Sequence, residues 1–234
     1  MAGLALFAGL AYWLLVLTEG AYLGSRVVCK LYDWTAGKYE SIKQFDPYHE
    51  RCFVGQPVAE ALSHVSSPIV LDVAAGTSRF ARALLDAGPG RGTTIGIDRS
   101  RPMLLEGRRF LAPGEKSVAL VQADALKLPF PGNSFNAVVS LEALEFLPSV
   151  DVALREMTRV LRPGGVLFIT NRKGAARRYM PGHVHRAEEV VALLAELGIA
   201  NAGISRWQVN YDLVHGRKAQ PAMQRPRAEA SRPN

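Results

Sequence analysis

Three acids, Asp72, Asp98 and Asp124, recur at intervals of 26 residues, about one strand–helix–turn unit apart. Each closes a short apolar run, in "IVLDV", "TTIGID" and "VALVQAD". Strands buried on both faces of a parallel sheet read as such runs. In an open parallel sheet the three carboxylates therefore line up along one edge, and ligands of such sheets bind outside the carboxyl ends of the strands. An acid after the second strand can accept both hydroxyls of a ribose, which a neutral side chain does less well. An acid after the third strand can take the exocyclic amine of adenine. Residues 74–78, "AAGTS", follow the first strand; their small side chains let the backbone approach a ligand closely.

A nicotinamide dinucleotide also calls for an acid after the second strand. Its fingerprint is GxGxxG, so that pyrophosphate can rest on the helix N-terminus. The turn A-A-G-T-S-R lacks both outer glycines, and Asp124 and "LRPGG" have no role in that reading, so it is rejected.

The elements that must position these residues alternate β and α. Strands are expected at 69–73, 93–97, 118–122, 136–141 and 166–170, and helices at 79–85, 102–110 and 151–161. A helix at 57–65 precedes them; a helix at 187–197 and one or two strands in "RWQVNYDLVHGRK" follow. This order implies an α/β, doubly wound sheet.

Groups able to move protons lie near the expected ligand edge: Glu142 and Glu145 just past the fourth strand, and His183 and His185 in "PGHVHR". The "HVH" pair has no third ligand, so no metal site is expected. Arg172, Lys173, Arg177 and Arg178 follow the fifth strand. They read either as a solvated loop or as a cluster meeting phosphate headgroups.

Residues 1–17 contain no charged side chain, and residues 18–24 extend the run with Glu19 as its one charge. About 20 apolar residues cross a bilayer as a helix. No basic residue precedes the run, as a cleaved signal peptide would require. Arg26, Lys30 and Lys38 follow it, which places the main domain on the cytoplasmic side. The expectation is a membrane anchor over residues 1–24, spanning the bilayer or lying on it; the other reading is a buried helix of the domain. The divisions expected beyond it are a lid region (25–66), a catalytic domain (67–218) and a disordered basic tail (219–234).

A chain of 234 residues with 48% hydrophobic content buries one sizeable core. A net charge of +7 favours anionic surfaces. Nucleic acid is disfavoured, because the basic residues lack interleaved aromatics suited to base stacking. Cys29 and Cys52 fit no metal or CxxC spacing and read as reduced thiols.

The motifs resemble those of the class I S-adenosylmethionine-dependent methyltransferases. "VLDVAAGTSRFA" is similar to their first motif and "IGIDRSRPML" to the second. "VQADALKLPFPGNSFNAVVS" resembles the third with its following strand, and "LREMTRVLRPGGVLFIT" the late helix–turn–strand. The likeness is close over residues 67–170. "LYDWTAGKYESI" resembles the Tyr-containing lid of the subgroup that methylates quinones and small lipids.

The resemblance implies a Rossmann-like, mostly parallel sheet of seven strands with S-adenosylmethionine as cofactor. It implies that Asp72, Ala74, Gly76 and Ser78 surround the methionine end and that Asp98 holds the ribose. Arg99 and Met103 would flank the adenine, Asp124 and Ala125 would read its edge, and Leu141 would lie near the sulfonium. Tyr39 belongs to that lid and, on the headgroup reading of the basic cluster, Arg172 and Arg177 would face the acceptor with it; the apolar N-terminal run points to a membrane-partitioned one: an isoprenoid quinol, a phospholipid amine or another hydrophobic small molecule. Three departures stand out: Ala74 and Ser78 replace glycines, and Asn136 replaces Asp. Methyl transfer is an in-line displacement governed by positioning; a base (Glu142, Glu145 or His183) is needed only if the acceptor must lose a proton. The alternative is a non-catalytic, membrane-anchored assembly or binding protein on the same fold, against which the three intact acids count.

Overall fold

The structure is a computed structural model that describes residues 2–88 and 92–220. Most of the expected basic tail, 221–234, lies outside the described residues, as do residues 89–91 of the "AGPGRG" helix stop.

Seven strands form one sheet: β1 (Ile69–Val73), β2 (Thr93–Asp98), β3 (Val118–Gln122), β4 (Phe135–Ser140), β5 (Leu161–Arg172), β6 (Ile199–Arg206) and β7 (Tyr211–Lys218). Their order is β3-β2-β1-β4-β5-β7-β6. Strands β1 to β5 pair in parallel, and β7 runs antiparallel to both of its neighbours. The chain winds outward from β1 to β3 and then returns to place β4 on the other side of β1. This reversal opens a crevice at the carboxyl ends of β1 and β4, where doubly wound sheets bind ligands. Three boundaries differ most from expectation, the first being the helix expected at 57–65, which ends at Ala61. The fifth strand begins at Leu161, five residues early, because "RPGG" stays extended beside β4 and pairs Leu161 with Phe135. The closing segment is a full hairpin that starts at Ile199.

Period-two alternation divides the strands between two cores. Leu71, Val73, Val138, Leu167 and Ile169 pack against α8 (Val150–Val160) and α10 (Ala187–Glu196). Val70, Ala137, Val139 and Phe168 face Val54, Val58 and Phe80 on the other side. Those three come from a turn of π-helix at Arg51–Gly55, α5 (Gln56–Ala61) and α6 (Arg79–Asp86). Helix α7 (Arg101–Phe110) covers β2 and β3 and is capped by Ser100, whose Oγ accepts from Met103 N at 3.2 Å. Asn136, the departure from Asp, accepts from Ile69 N at 2.9 Å and from Arg162 at 3.3 Å, so its amide oxygen joins β4 to the start of β1.

The N-terminal helix is shorter than expected. Helix α1 (Ala2–Tyr12) continues as a π turn through Trp13–Leu17 and stops there. Gly20, left-handed at φ 79°, closes it by donating to Leu14 O at 2.9 Å. Residues 18–24 fold back toward α2 (Ser25–Thr35) instead of extending the helix, and Thr18 is fully buried. Sixteen residues rise about 24 Å, short of a hydrocarbon core of about 30 Å. Among the described residues, no helix is long and apolar enough to cross a membrane.

Candidate functional site

The turn after β1 is built on left-handed residues in alternation: Ala74 at φ 58°, Gly76 at 52° and Ser78 at 62°. Only glycine adopts this conformation without strain. Ala75 N donates to Ile97 O at 2.8 Å, which fixes the turn against the end of β2. The arrangement turns Gly76 N toward Asp98, whose Oδ2 accepts from it at 2.9 Å, while Oδ1 accepts from Ser100 N at 2.8 Å. Burial pushes the Asp98 carboxyl above its usual range, and these backbone donors oppose the shift.

A cleft runs along this edge. Gly76, Asp98, Arg99, Met103, Asp124 and Ala125 line one part of it. Tyr32, Tyr39, Leu141, Glu142 and Phe146 line the other. Asp124 accepts from Leu126 N at 2.9 Å and lies 3.9 Å from Arg99 Nε, so its carboxylate is held by its own loop. Ala74 lines the cleft as well, and with Asp72 it also borders a narrower cavity behind the turn.

Asp72 is 2% exposed, and its Oδ2 has no hydrogen-bond partner. Burial pushes its carboxyl up to about 7, with Arg79 pulling it down and Asp98 pushing it further up. A buried acid with one idle oxygen beside the cleft suits a cationic group, such as the ammonium or sulfonium of S-adenosylmethionine. The carboxylate pair at Asp72 and Asp98 and the cradle at Gly76 thus fit that cofactor.

The lid expected over 25–66 comprises α2, a 3₁₀ turn at Ala36–Lys38, α3 (Tyr39–Lys43), α4 (Pro47–Glu50) and the π turn into α5. It is tied to the cofactor turn by side chains. Ser100 Oγ donates to Asp33 at 2.5 Å, Arg82 donates to Glu40 at 2.8 Å, and Thr77 also donates to Glu40. Tyr39 hangs from this lid into the cleft, and burial keeps its hydroxyl well above the ordinary phenol range.

Several expected roles do not survive the geometry. Ser78 is fully buried with its hydroxyl turned to α7, away from the cleft. Glu145 is 1% exposed and sits behind the cleft wall, where it accepts from Tyr211 and lies 3.4 Å from Arg172. Burial raises its pKa, while Tyr211 and Arg172 oppose the shift. Arg172 is held by that pair and by Tyr179, whose hydroxyl it reaches at 3.2 Å, so it is not free to meet an acceptor. His183 Nδ1 lies 2.9 Å from Glu145 O and, with His185, borders a separate cavity against α10. Arg177 is exposed on α9 (Ala176–Tyr179), away from the cleft. Among the described residues there is no cluster of three or more side chains able to hold a metal.

The residues missed in the sequence are those that need distant partners. Arg79 meets Glu142 at 3.0 Å and Glu50 at 3.3 Å, all three side chains nearly buried, and stacks 4.0 Å from the Phe45 ring. Burial works against its charge, but the two glutamates outweigh it and hold its pKa above the ordinary value. Tyr32, Phe146 and Cys29 also line the cleft. The apolar-and-aromatic spacing of Cys29 and Tyr32 on one face of α2 was the available signal.

Residues 71–169 match the family described as a methyltransferase domain. That match covers less than half of the chain and falls on the stretch whose motifs resemble the class I S-adenosylmethionine-dependent methyltransferases. Over 100 residues the chain is 41% identical to the ubiquinone/menaquinone biosynthesis C-methyltransferase UbiE of Nitrosospira multiformis, covering 43% of this chain and 41% of that protein. It is 44% identical over 97 residues to the demethylmenaquinone methyltransferase of Staphylococcus aureus, covering 42% and 40%. The matched part thus spans about two fifths of these relatives' length. The crystal structure of the [4+2]-cyclase SpnF superposes with a TM-score of 0.65 at 21% identity, over 85% of this chain and 97% of that one, and so shares this chain's fold.

Proposed function

We propose that the chain transfers the methyl group of S-adenosylmethionine to a quinol-like, lipid-soluble acceptor, with the protein bound to a membrane through its apolar N-terminal helical segment and its site on the cytoplasmic side. The observation that carries this reading is the two-part cleft: edge carboxylates on one side, and an aromatic and apolar wall of Tyr32, Tyr39, Leu141 and Phe146 on the other. Such a wall offers rings on which a flat acceptor can stack and an apolar surface for its tail. The names of the relatives, which act on ubiquinone or menaquinone precursors, support the same acceptor class.

When bound, the cofactor supplies a methyl group activated on a sulfonium. Asp98 keeps lone pairs for a ribose beyond those used by Gly76 and Ser100. Asp72 answers the positive charge of the methionine end. Tyr39, protonated at any working pH, donates a hydrogen bond to an acceptor oxygen. Glu142 lines the cleft on the acceptor side and is the group placed to take a proton, while Arg79 orients it. The closed lid excludes water, which strengthens each of these interactions.

Calorimetric titration with S-adenosylmethionine, together with incorporation of labelled methyl into a demethylated quinol, tests the reading. Asp98→Ala is expected to abolish binding with the fold intact. Binding without transfer to any quinol would favour the second reading, an adapted non-methylating protein, for which the fold of the cyclase SpnF is a precedent.

A further inference from the structure

The helical segment Ala2–Leu17 has no polar face. Leu4, Leu6 and Phe7 are 75%, 76% and 71% exposed, and Leu10, Tyr12, Leu15 and Val16 are also exposed. At 100° per residue these side chains point in every direction around the axis. An interfacial amphipathic helix carries a polar face toward water, and a protein groove covers only one side. A lipid environment covers all sides at once. The segment is longer than one leaflet, about 15 Å, and shorter than the full hydrocarbon core.

Two side chains at the base of this helix hydrogen-bond the domain. Trp13 Nε1 donates to Tyr179 O at 2.9 Å, and the Tyr22 hydroxyl donates to Pro181 O at 2.7 Å. The two rings stack at 4.9 Å, as an amphipathic aromatic belt at headgroup depth would require. The loop that accepts these bonds carries Arg177 and Arg178, and α2 carries Arg26 and Lys30. All four are exposed and form no ion pair among the described residues. Their charge complements an anionic leaflet.

The same junction touches the acceptor wall on two sides. Tyr22 meets the His183 ring edge-on at 4.7 Å, and His183 bonds Glu145 O, one residue before Phe146. Glu19, in the turn that ends the helix, accepts from the Tyr32 hydroxyl at 2.7 Å. Tyr32 and Phe146 meet at 6.0 Å and both line the cleft.

We propose that Ala2–Leu17 inserts into one leaflet of an anionic bilayer, and that the Trp13–Tyr22 junction thereby sets the Tyr32–Phe146 wall at headgroup depth, so that the acceptor enters from the membrane. The entry claim rests on the lipid-soluble acceptor argued above; the insertion claim does not.

Flotation of the full chain with vesicles tests insertion without any enzymatic readout. Wild type floats with phosphatidylglycerol–phosphatidylcholine vesicles and several-fold less with pure phosphatidylcholine. Leu6→Asp/Phe7→Asp/Leu10→Asp stays in the lower fraction while binding S-adenosylmethionine as wild type does, and Arg177→Glu/Arg178→Glu loses the preference for anionic vesicles. A wild type that remains unfloated and sediments as a dimer, broken by the triple variant, overturns insertion in favour of a second copy as the partner. For entry, the triple variant raises KM at least tenfold for a long-chain quinol embedded in vesicles, with kcat/KM for a short-chain, water-soluble quinol unchanged. Equal loss on both acceptors shows instead that the helix only supports the fold. Failure to methylate either quinol in wild type removes the acceptor reading and the entry claim with it, while the flotation result still decides insertion.

Discussion

Gly107 of α7 faces Ser78 so closely that a Cβ on it would come within 2.4 Å of the Ser78 Oγ. Ser78 holds a position where the family pattern has glycine, and Gly107 supplies the room that its side chain takes. Gly107→Ala is expected to lower stability by about 2 kcal/mol, the usual range for overpacking. Ser78→Gly removes a left-handed non-glycine residue, a conformation that costs about 1 kcal/mol, and with it a buried hydroxyl that has no partner. It is expected to leave stability unchanged or raised. The double variant recovers part of the loss but not all, because a Cβ at 107 also meets the Thr77 backbone at 2.9 Å. Urea midpoints of the four proteins measure the coupling; purely additive effects would show that the two positions do not compensate each other.

Arg79 is set between two nearly buried glutamates, Glu50 and Glu142. Removing one member of such a group leaves uncompensated charge in the interior, which typically costs about 3–5 kcal/mol. Arg79→Met should therefore destabilise strongly, and adding Glu50→Gln and Glu142→Gln should restore most of the loss. Denaturant unfolding of the single and triple variants gives the comparison. A triple variant no more stable than Arg79→Met would place the energy in the stacking of Arg79 on Phe45 instead of in its charge.

The sheet and the cofactor edge were legible because their signals are local. Each apolar run ending in an acid carries its own meaning, and three of them in phase place Asp72, Asp98 and Asp124 on one edge. Residues whose role is set by contacts far along the chain were not legible. Glu145 reads as a candidate base by position, yet it is buried against Tyr211, 66 residues later. Arg79 looks like an ordinary first-turn arginine until α4 and the end of β4 come to it. The N-terminal run was read as 24 residues because hydropathy does not register a closing glycine; Gly20 ends the helix after Leu17.

Cys29 offers a reporter of cofactor occupancy. It is half-buried on the cleft wall, and burial pushes its thiol up, with Asp33 and Asp98 adding to the shift and Arg99 opposing it. Alkylation near pH 8 should be slow and become slower with cofactor. At a concentration ten times the dissociation constant, protection of about tenfold is expected, since only the free fraction reacts. Cys52, also half-buried and not part of the cleft wall, is the internal control. Mass spectrometry of the two tryptic sites distinguishes them; equal protection at both would mean that the ligand tightens the whole chain without covering Cys29.

Asp72 gives the fold a pH dependence of defined sign. Its carboxyl is pushed up to about 7 in the folded chain, against about 3.9 for an unperturbed aspartate. Between these values the native state holds a proton that the unfolded chain has lost. The stability from this group is therefore fully present below about pH 4 and lost as pH rises through about 7. Asp72→Asn stays neutral throughout, so its melting temperature should gain on wild type between pH 4.5 and pH 8. Comparison with wild type at each pH cancels the slopes of Asp98, Glu50 and Glu145, which are raised by burial as well. The cationic cofactor favours the ionised form, so the affinity of wild type for S-adenosylmethionine should rise as pH passes 7, while that of Asp72→Asn is weaker and stays level. A stability difference that does not vary with pH would show that Asp72 is already ionised in the folded protein.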